Sequence, residues 1–202
     1  MKSKIVFFDF NGVIADSFDA AFAVNKMIYP LITEDIYRKR FEGNINDDLK
    51  EEEIKKVHHD NVDFFAEYEP RLLACDIFPG MKEVIEAGAK DCTLVIVSST
   101  NTDLIKKFLS LHHIDHYFTE IMGNDVHKSK IAKIEMALDK YRIDANDCLF
   151  ITDTLGDIKE AHHMKVPTVA VTWGYQSIET LAKGNPSRIV NTSQKLLSFF
   201  DK

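Results

Sequence analysis

The stretch from residue 5 to residue 17, Ile-Val-Phe-Phe-Asp-Phe-Asn-Gly-Val-Ile-Ala-Asp-Ser, constrains the fold of this chain more than any other. An apolar run ends in Asp9, and Gly12 follows at a tight turn. A strand buried on both faces reads as a continuous hydrophobic run and hands its next polar residue to the carboxyl edge of a parallel sheet. That edge is where open α/β proteins bind their ligands. The pattern therefore predicts a strand over Ile5–Phe10 that presents a carboxylate at its exit.

Other apolar runs recur along the chain. A second strand is expected at Leu94–Val97, ending at Ser98-Ser99-Thr100, and a weaker third near Phe118–Met122. Leu149–Ile151 ends at Thr152-Asp153, Thr168–Val171 runs into Thr172-Trp173-Gly174, and Ile189-Val190 suits an edge strand. Thr102–Leu111 and Ser129–Tyr141 between them have helix periodicity. In the latter, Ile131, Ile134, Leu138 and Tyr141 mark one face. Strands alternating with helices imply an α/β fold with a doubly wound parallel sheet.

Residues 16–78 follow a different pattern. Apolar residues stand at helical spacings, no convincing strand is visible, and Pro30, Gly43-Asn44, Pro70 and Pro79-Gly80 punctuate the segment. The expected organisation is a core of residues 1–15 and 79–202, with a small helical cap over 16–78 inserted after the first strand. Such an insert would lie above Asp9 and could exclude water and select the substrate.

The 202 residues suit one core with a modest insertion. A formal charge of −7 argues against a nucleic-acid or anionic-membrane surface, which needs clustered Lys and Arg. No apolar run approaches the ~18 residues needed to span a membrane. Cys75, Cys92 and Cys148 are odd in number and lie in or beside apolar segments. They read as free thiols in a reducing cytoplasm.

The predicted strand ends gather one chemistry. The Asp9 carboxylate can attack phosphorus. Ser98, with nearby backbone N–H groups including that of Ser99, can hold phosphate oxygens. Lys130 opens a helix and can neutralise both the phosphoryl group and Asp9. Asp153 and Asp157 add carboxylates where a hard cation is needed, and Mg²⁺ takes oxygen ligands from one or two carboxylates plus water and substrate.

In order and spacing these pieces resemble the four motifs of the haloacid dehalogenase superfamily, in its phosphoglycolate-phosphatase-like branch. Asp9-Phe-Asn11-Gly-Val resembles the first, Leu-Val-Ile-Val-Ser98 the second, Lys128-Ser129-Lys130 the third and Thr152-Asp153-Thr-Leu-Gly-Asp157 the fourth. Val-Thr-Trp-Gly-Tyr at 171–175 resembles that branch in particular. The resemblance implies a Rossmann-like core, a small phosphorylated metabolite as substrate and an aspartyl-phosphate on Asp9. It also implies Mg²⁺ bound by Asp9, the Asn11 backbone carbonyl and Asp153, with Asp157 helping directly or through water.

At residue 11 the family has a second Asp that protonates the leaving oxygen and then activates water. Asn11 cannot carry that proton. It is either a replacement in an ordinary phosphatase or the native residue of a slow, specialised or purely binding protein. The Asp153/Asp157 pair favours metal-assisted phosphoryl chemistry over metal-free dehalogenation. Three other choices stay open at the level of sequence. Lys128 competes with Lys130 for the third motif, although Lys130 directly opens the periodic helix. Ser98-Ser99-Thr100 would also serve as an N-cap for the following helix. Arg40 is either a solvated helix residue or reaches a second acidic group on the substrate. The histidine doublets, His58-His59 among them, point in divergent directions on a helix and make no chelate.

Overall fold

A computed structural model describes residues 5–45, 57 and 59–200. Residues 46–56 of the expected cap, and His58, lie outside the described residues. Six strands form one sheet: β1 (Ile5–Phe8), β2 (Thr93–Val97), β3 (Glu120–Met122), β4 (Cys148–Thr152), β5 (Thr168–Val171) and β6 (Arg188–Val190). Their order is β3-β2-β1-β4-β5-β6, and every pairing is parallel.

Side chains alternate across this sheet. Val6, Phe8, Leu94, Ile96, Leu149 and Ile151 enter one apolar cluster. Ile5, Phe7, Val95, Val97, Cys148 and Phe150 enter another on the opposite face. The central strands are therefore buried on both sides, which explains their unbroken apolar runs. One face is covered by α1 (Phe18–Ile28), α3 (Phe64–Leu73), α4 (Met81–Ala89), α5 (Thr102–Leu111) and α9 (Ser193–Leu197). The other is covered by α6 (Lys130–Tyr141) and α7 (Leu155–His163). Short helices α2 (Glu34–Lys39) and α8 (Ile178–Ala182) complete the described set.

Register places the site. Phe8 of β1 stands level with Ile96 of β2 and Ile151 of β4. Asp9, Ser98 and Asp153 follow those three residues by one or two positions, so they emerge together at the carboxyl edge. The chain winds outward through β2 and β3 on one side of β1, then crosses to β4 on the other. This reversal opens the crevice in which doubly wound sheets bind ligands.

The structure departs from the sequence expectations in four places. First, β1 ends at Phe8 rather than Phe10. Asp9 N–H still bonds Ile151 O at 2.9 Å, but the chain then turns, with Ile14 and Ala15 N–H groups both on Phe10 O at 3.0 Å. Second, the buried side of α6 is Lys130, Lys133, Ile134 and Ala137, rotated from the expected apolar stripe. Carboxylate and carbonyl partners draw the two lysines inward. Third, Pro70 lies inside α3 and does not punctuate it. Burial of Tyr68 and Leu72 outweighs the lost backbone bond. Fourth, the cap of α5 is Asn101, whose side chain accepts from Asp103 N–H at 2.9 Å, so Ser98–Thr100 stay free of that role.

Between β1 and β2 the segment leaves and re-enters at one point. Phe78 N–H bonds Ile14 O at 2.9 Å and Asp16 N–H bonds Asp76 O at 3.0 Å. The helices between these ties reach the carboxyl edge. Arg38 donates to Tyr175 O, Lys159 donates to Glu42 O at 2.9 Å, and Asn44 donates to Glu160 at 3.2 Å.

Candidate active site

Lys130 is the electrostatic centre. It is the first residue of α6, after Ser129 at the N-cap, and is nearly fully buried. Its Nζ lies 2.9 Å from Asp9 Oδ1 and 2.7 Å from Asp157 Oδ2. Asp157 sits in the first turn of α7, and the same oxygen also accepts from the Thr152 hydroxyl at 2.7 Å. One ammonium thus serves two carboxylates. Lys128, the competing third-motif lysine, is exposed.

Burial pushes the Asp9 carboxyl up to about 7, against the pull of Lys130, and Asp157 adds to the rise. Burial alone would raise Asp157 as well, but the charge and hydrogen bonds of Lys130, with Thr152, outweigh it and hold that carboxyl below its usual value. Burial also works against the Lys130 ammonium, yet Asp157 and Asp9 keep its pKa above that of an ordinary lysine.

Asp153 is fully buried at the end of β4. Its Oδ2 accepts from Tyr175 N–H at 2.6 Å. Its Oδ1 is buried with no hydrogen-bond partner among the described residues. Two glycines make this packing possible. A Cβ at Gly12, where φ is +74°, would fall 2.0 Å from Asp153 Oδ2, and one at Gly174 would fall 2.2 Å from it. Burial and the nearby Asp9 charge raise the Asp153 carboxyl well above its usual range.

Two carboxylates therefore share one lysine, and the third, Asp153, keeps an orphaned oxygen beside them. A hard divalent cation with oxygen ligands fits this donor set. Among the described residues, no three His, Cys, Asp or Glu side chains converge as a ready-made cation cluster. The candidate set needs the Asn11 backbone carbonyl and oxygens from water or substrate as well.

Asn11 is held on every side. Its Nδ2 donates to Thr100 Oγ1 at 2.7 Å, while its Oδ1 accepts from Ser17 at 3.0 Å and from Tyr68 at 2.6 Å. The Ser17 hydroxyl continues to the Tyr175 hydroxyl at 3.2 Å. Ser98 is fully buried, and its Oγ accepts from Thr100 N–H at 3.1 Å. Beneath it, Lys133 donates to Ser98 O at 2.5 Å and to Gly123 O at 3.4 Å. A trans peptide points its carbonyl and its N–H in opposite directions. Anchoring Ser98 O on Lys133 thus turns Ser99 N–H away from Lys133, and Ser99 lines the cavity. That N–H has no protein acceptor among the described residues.

The edge holds two neighbouring cavities. One, of about 40 Å³, is lined by Asp9, Lys130, Asp157, Thr154 and Glu160. The other, of about 350 Å³, lies under the helices between β1 and β2, with Arg40 in its wall. Asn11, Phe41, Ile45, Ser99 and Tyr175 line both. A larger open groove of about 1000 Å³ past Lys107, Leu111 and Phe118 lies away from Asp9 and carries none of this chemistry.

Asp9, Asn11, Ser99, Lys130 and Asp157 thus line one cavity and Arg40 lines the adjoining one, while Ser98 and Asp153 are fully buried and line neither. Sequence reasoning missed Tyr68 and Lys133. Tyr68 carried no signal, since an aromatic residue at helical spacing reads as core. Lys133 had a faint one, its position one turn after Lys130.

Residues 6–171 match the family of haloacid dehalogenase-like hydrolases. The phosphoglycolate phosphatase of Vibrio parahaemolyticus is 24% identical over 218 residues, covering 96% of this chain and 94% of that protein. That of Aquifex aeolicus is 25% identical over 188 residues, covering 88% of each. Among solved structures, a haloacid dehalogenase-like family hydrolase from Streptococcus pneumoniae superposes with a TM-score of 0.77 at 19% identity, covering 98% of this chain and 99% of that one. CbbY from Rhodobacter sphaeroides, solved in complex with phosphate, superposes at 0.73 with 16% identity, covering 99% and 100%. At these identities the structures establish the fold, and the family match spans most of the chain. This chain belongs to the haloacid dehalogenase-like hydrolase family.

Proposed function

We propose that this hydrolase is a cytoplasmic, Mg²⁺-dependent phosphatase that cleaves a small phosphomonoester through an aspartyl-phosphate on Asp9. The observation that carries the reading is the Lys130 ammonium, shared by Asp9 at 2.9 Å and Asp157 at 2.7 Å beside the orphaned Asp153 oxygen. Asp9 Oδ1 is held by Lys130 and by Phe10 N–H at 2.7 Å, which leaves Oδ2 to attack phosphorus. The Ser98 hydroxyl and Ser99 N–H hold non-bridging phosphate oxygens, and Lys130 offsets their charge. Asp9, the Asn11 carbonyl and Asp153, with Asp157 assisting, would hold Mg²⁺, which would offset the repulsion between carboxylate and phosphate. The helical segment acts as a cap that excludes water and meets the leaving group. Cys75, Cys92 and Cys148 form no disulfide with one another, which supports a reducing compartment.

The amide of Asn11 supplies no proton to the leaving oxygen and takes none from water. Losing such assistance costs roughly 10²–10⁴-fold in rate. A panel of phosphomonoesters assayed with and without Mg²⁺ tests the reading on three proteins: this chain, Asn11→Asp and Asp9→Ala. Mg²⁺-dependent hydrolysis that Asp9→Ala abolishes is expected. No hydrolysis by either of the first two proteins would end the enzyme reading.

One observation favours a second reading, a phosphoryl-ligand binding protein. Every polar atom of the Asn11 amide has a partner, and its Nδ2 donates to Thr100 in a way aspartate would not. Calorimetric binding of phosphate with Mg²⁺, together with no hydrolysis by the Asn11→Asp protein, would select it.

A further inference from the structure

We propose that the leaving group this site takes is a ring-bearing one with an acidic substituent, so that the substrate is an aromatic or heteroaromatic phosphomonoester carrying a carboxylate or comparable anion. The proposal rests on the phosphatase reading and adds the class of substrate.

Size is the first argument. The cavity at Asp9 and Lys130, about 40 Å³, has room for little beyond a phosphoryl group. The adjoining one has about 350 Å³. A two-carbon acid displaces about two or three waters, under ~100 Å³, and would leave most of that space to solvent.

The wall is the second. Tyr29, Tyr37, Phe41, Phe64, Tyr68 and Tyr175 line the larger cavity. Phe41 meets Tyr175 edge-on at 4.9 Å between centroids, and Phe64 stacks on Tyr68 at 5.1 Å. These rings buttress one another, so the wall is set before a ligand arrives. Ring walls favour a planar apolar guest by area and by offset or edge-to-face contact.

Charge is the third. Among the described residues lining this cavity, Arg40 is the one with an ionic side chain. Its Nη1 donates to Asn25 Oδ1 at 3.0 Å, and Asn25 is itself oriented by donating to Ala21 O at 2.9 Å. No carboxylate pairs with Arg40 among the described residues. A guanidinium fixed through one nitrogen, in an otherwise uncharged wall, keeps further donors for a planar anion. The smaller cavity and Arg40 thus define two anionic ends, with aromatic surface between them.

Calorimetric titration of the full chain in Mg²⁺ with four non-hydrolysable phosphonates tests this without any need for turnover. The probes are methylphosphonate, phosphonoacetate, benzylphosphonate and 4-carboxybenzylphosphonate. Benzylphosphonate is expected to bind roughly 10- to 100-fold tighter than methylphosphonate. The 4-carboxyl group should add about another tenfold, a ratio that falls to near one in Arg40→Gln. Because that ratio is taken within each protein, a general weakening of the variant does not imitate it. Equal affinity of methyl- and benzylphosphonate, or phosphonoacetate binding as tightly as the carboxybenzyl probe, would overturn the proposal and leave the phosphatase reading standing. Failure of all four probes and of inorganic phosphate would remove the phosphatase reading together with it.

Discussion

The Tyr68 hydroxyl donates to Asn11 Oδ1 at 2.6 Å, joining a residue of the inserted helices to the position that the proposed mechanism gives to a proton carrier. Tyr68 is 2% exposed, and burial raises its phenol far above the usual range, so it stays a donor. Asn11 therefore reports on the docking of the helical segment as well as on the chemistry. Tyr68→Phe keeps the ring and removes this bond while Ser17 still serves Oδ1. The expected loss is about 0.5–1.5 kcal/mol, read as a lower midpoint in urea unfolding. An unchanged midpoint would mean that the bond does not hold the segment down.

Asn11→Asp should fold normally. The Ser17, Tyr68 and Thr100 hydroxyls surround residue 11 and can all donate to a carboxylate. With p-nitrophenyl phosphate, whose leaving group needs little protonation, the Asn11 protein should release a burst near one equivalent and then turn over slowly. The Asn11→Asp variant should show no burst and a steady rate higher by roughly 10²-fold or more. Rapid-quench kinetics distinguish these courses; linear, equal traces would mean that residue 11 does not carry the proton.

Removing Lys130 leaves Asp9 and Asp157 buried without their shared cation. Breaking a buried pair in this way costs about 3–5 kcal/mol. Lys130→Met should therefore be strongly destabilised. Lys130→Met with Asp157→Asn should recover much of that stability but no hydrolysis, because phosphate still lacks its ammonium. Recovery of activity in the double variant would remove Lys130 from the proposed mechanism.

Lys133 is fully buried, and burial, with Lys130 adding, lowers its pKa from 10.5 to about 8. Between those values the unfolded chain holds a proton that the folded chain has released, so this group makes stability rise with pH. Below about pH 8 both states are charged and its contribution levels off. The stability of the wild type relative to Lys133→Met, measured by urea unfolding, should climb from pH 8 to pH 10. A flat or falling difference would show that the buried amine keeps its proton.

Much of this architecture was legible from local pattern. The unbroken apolar runs at β1, β2, β4 and β5 announce strands buried on both faces. The polar residues just past these runs mark the carboxyl edge, so Asp9, Ser98 and Asp153 could be placed there from local pattern, while Lys128 and Lys130 both remained candidates. Boundaries were less legible. Phe10 continues an apolar run, yet its carbonyl turns the chain, and Pro70 reads as a break, yet α3 passes through it.

What the sequence determined by itself is the periodicity of each element and the residue type at each strand exit, because both depend on near neighbours in the chain. Tertiary structure alone decided the partners. That Lys130 rather than Lys128 meets Asp9, that Lys133 turns inward to Ser98 O, and that Tyr68 closes on Asn11 from 57 positions away all depend on how helices rotate over the sheet. That rotation is set by the burial of whole faces and by charges seeking partners across the crevice, neither of which any short window of sequence contains.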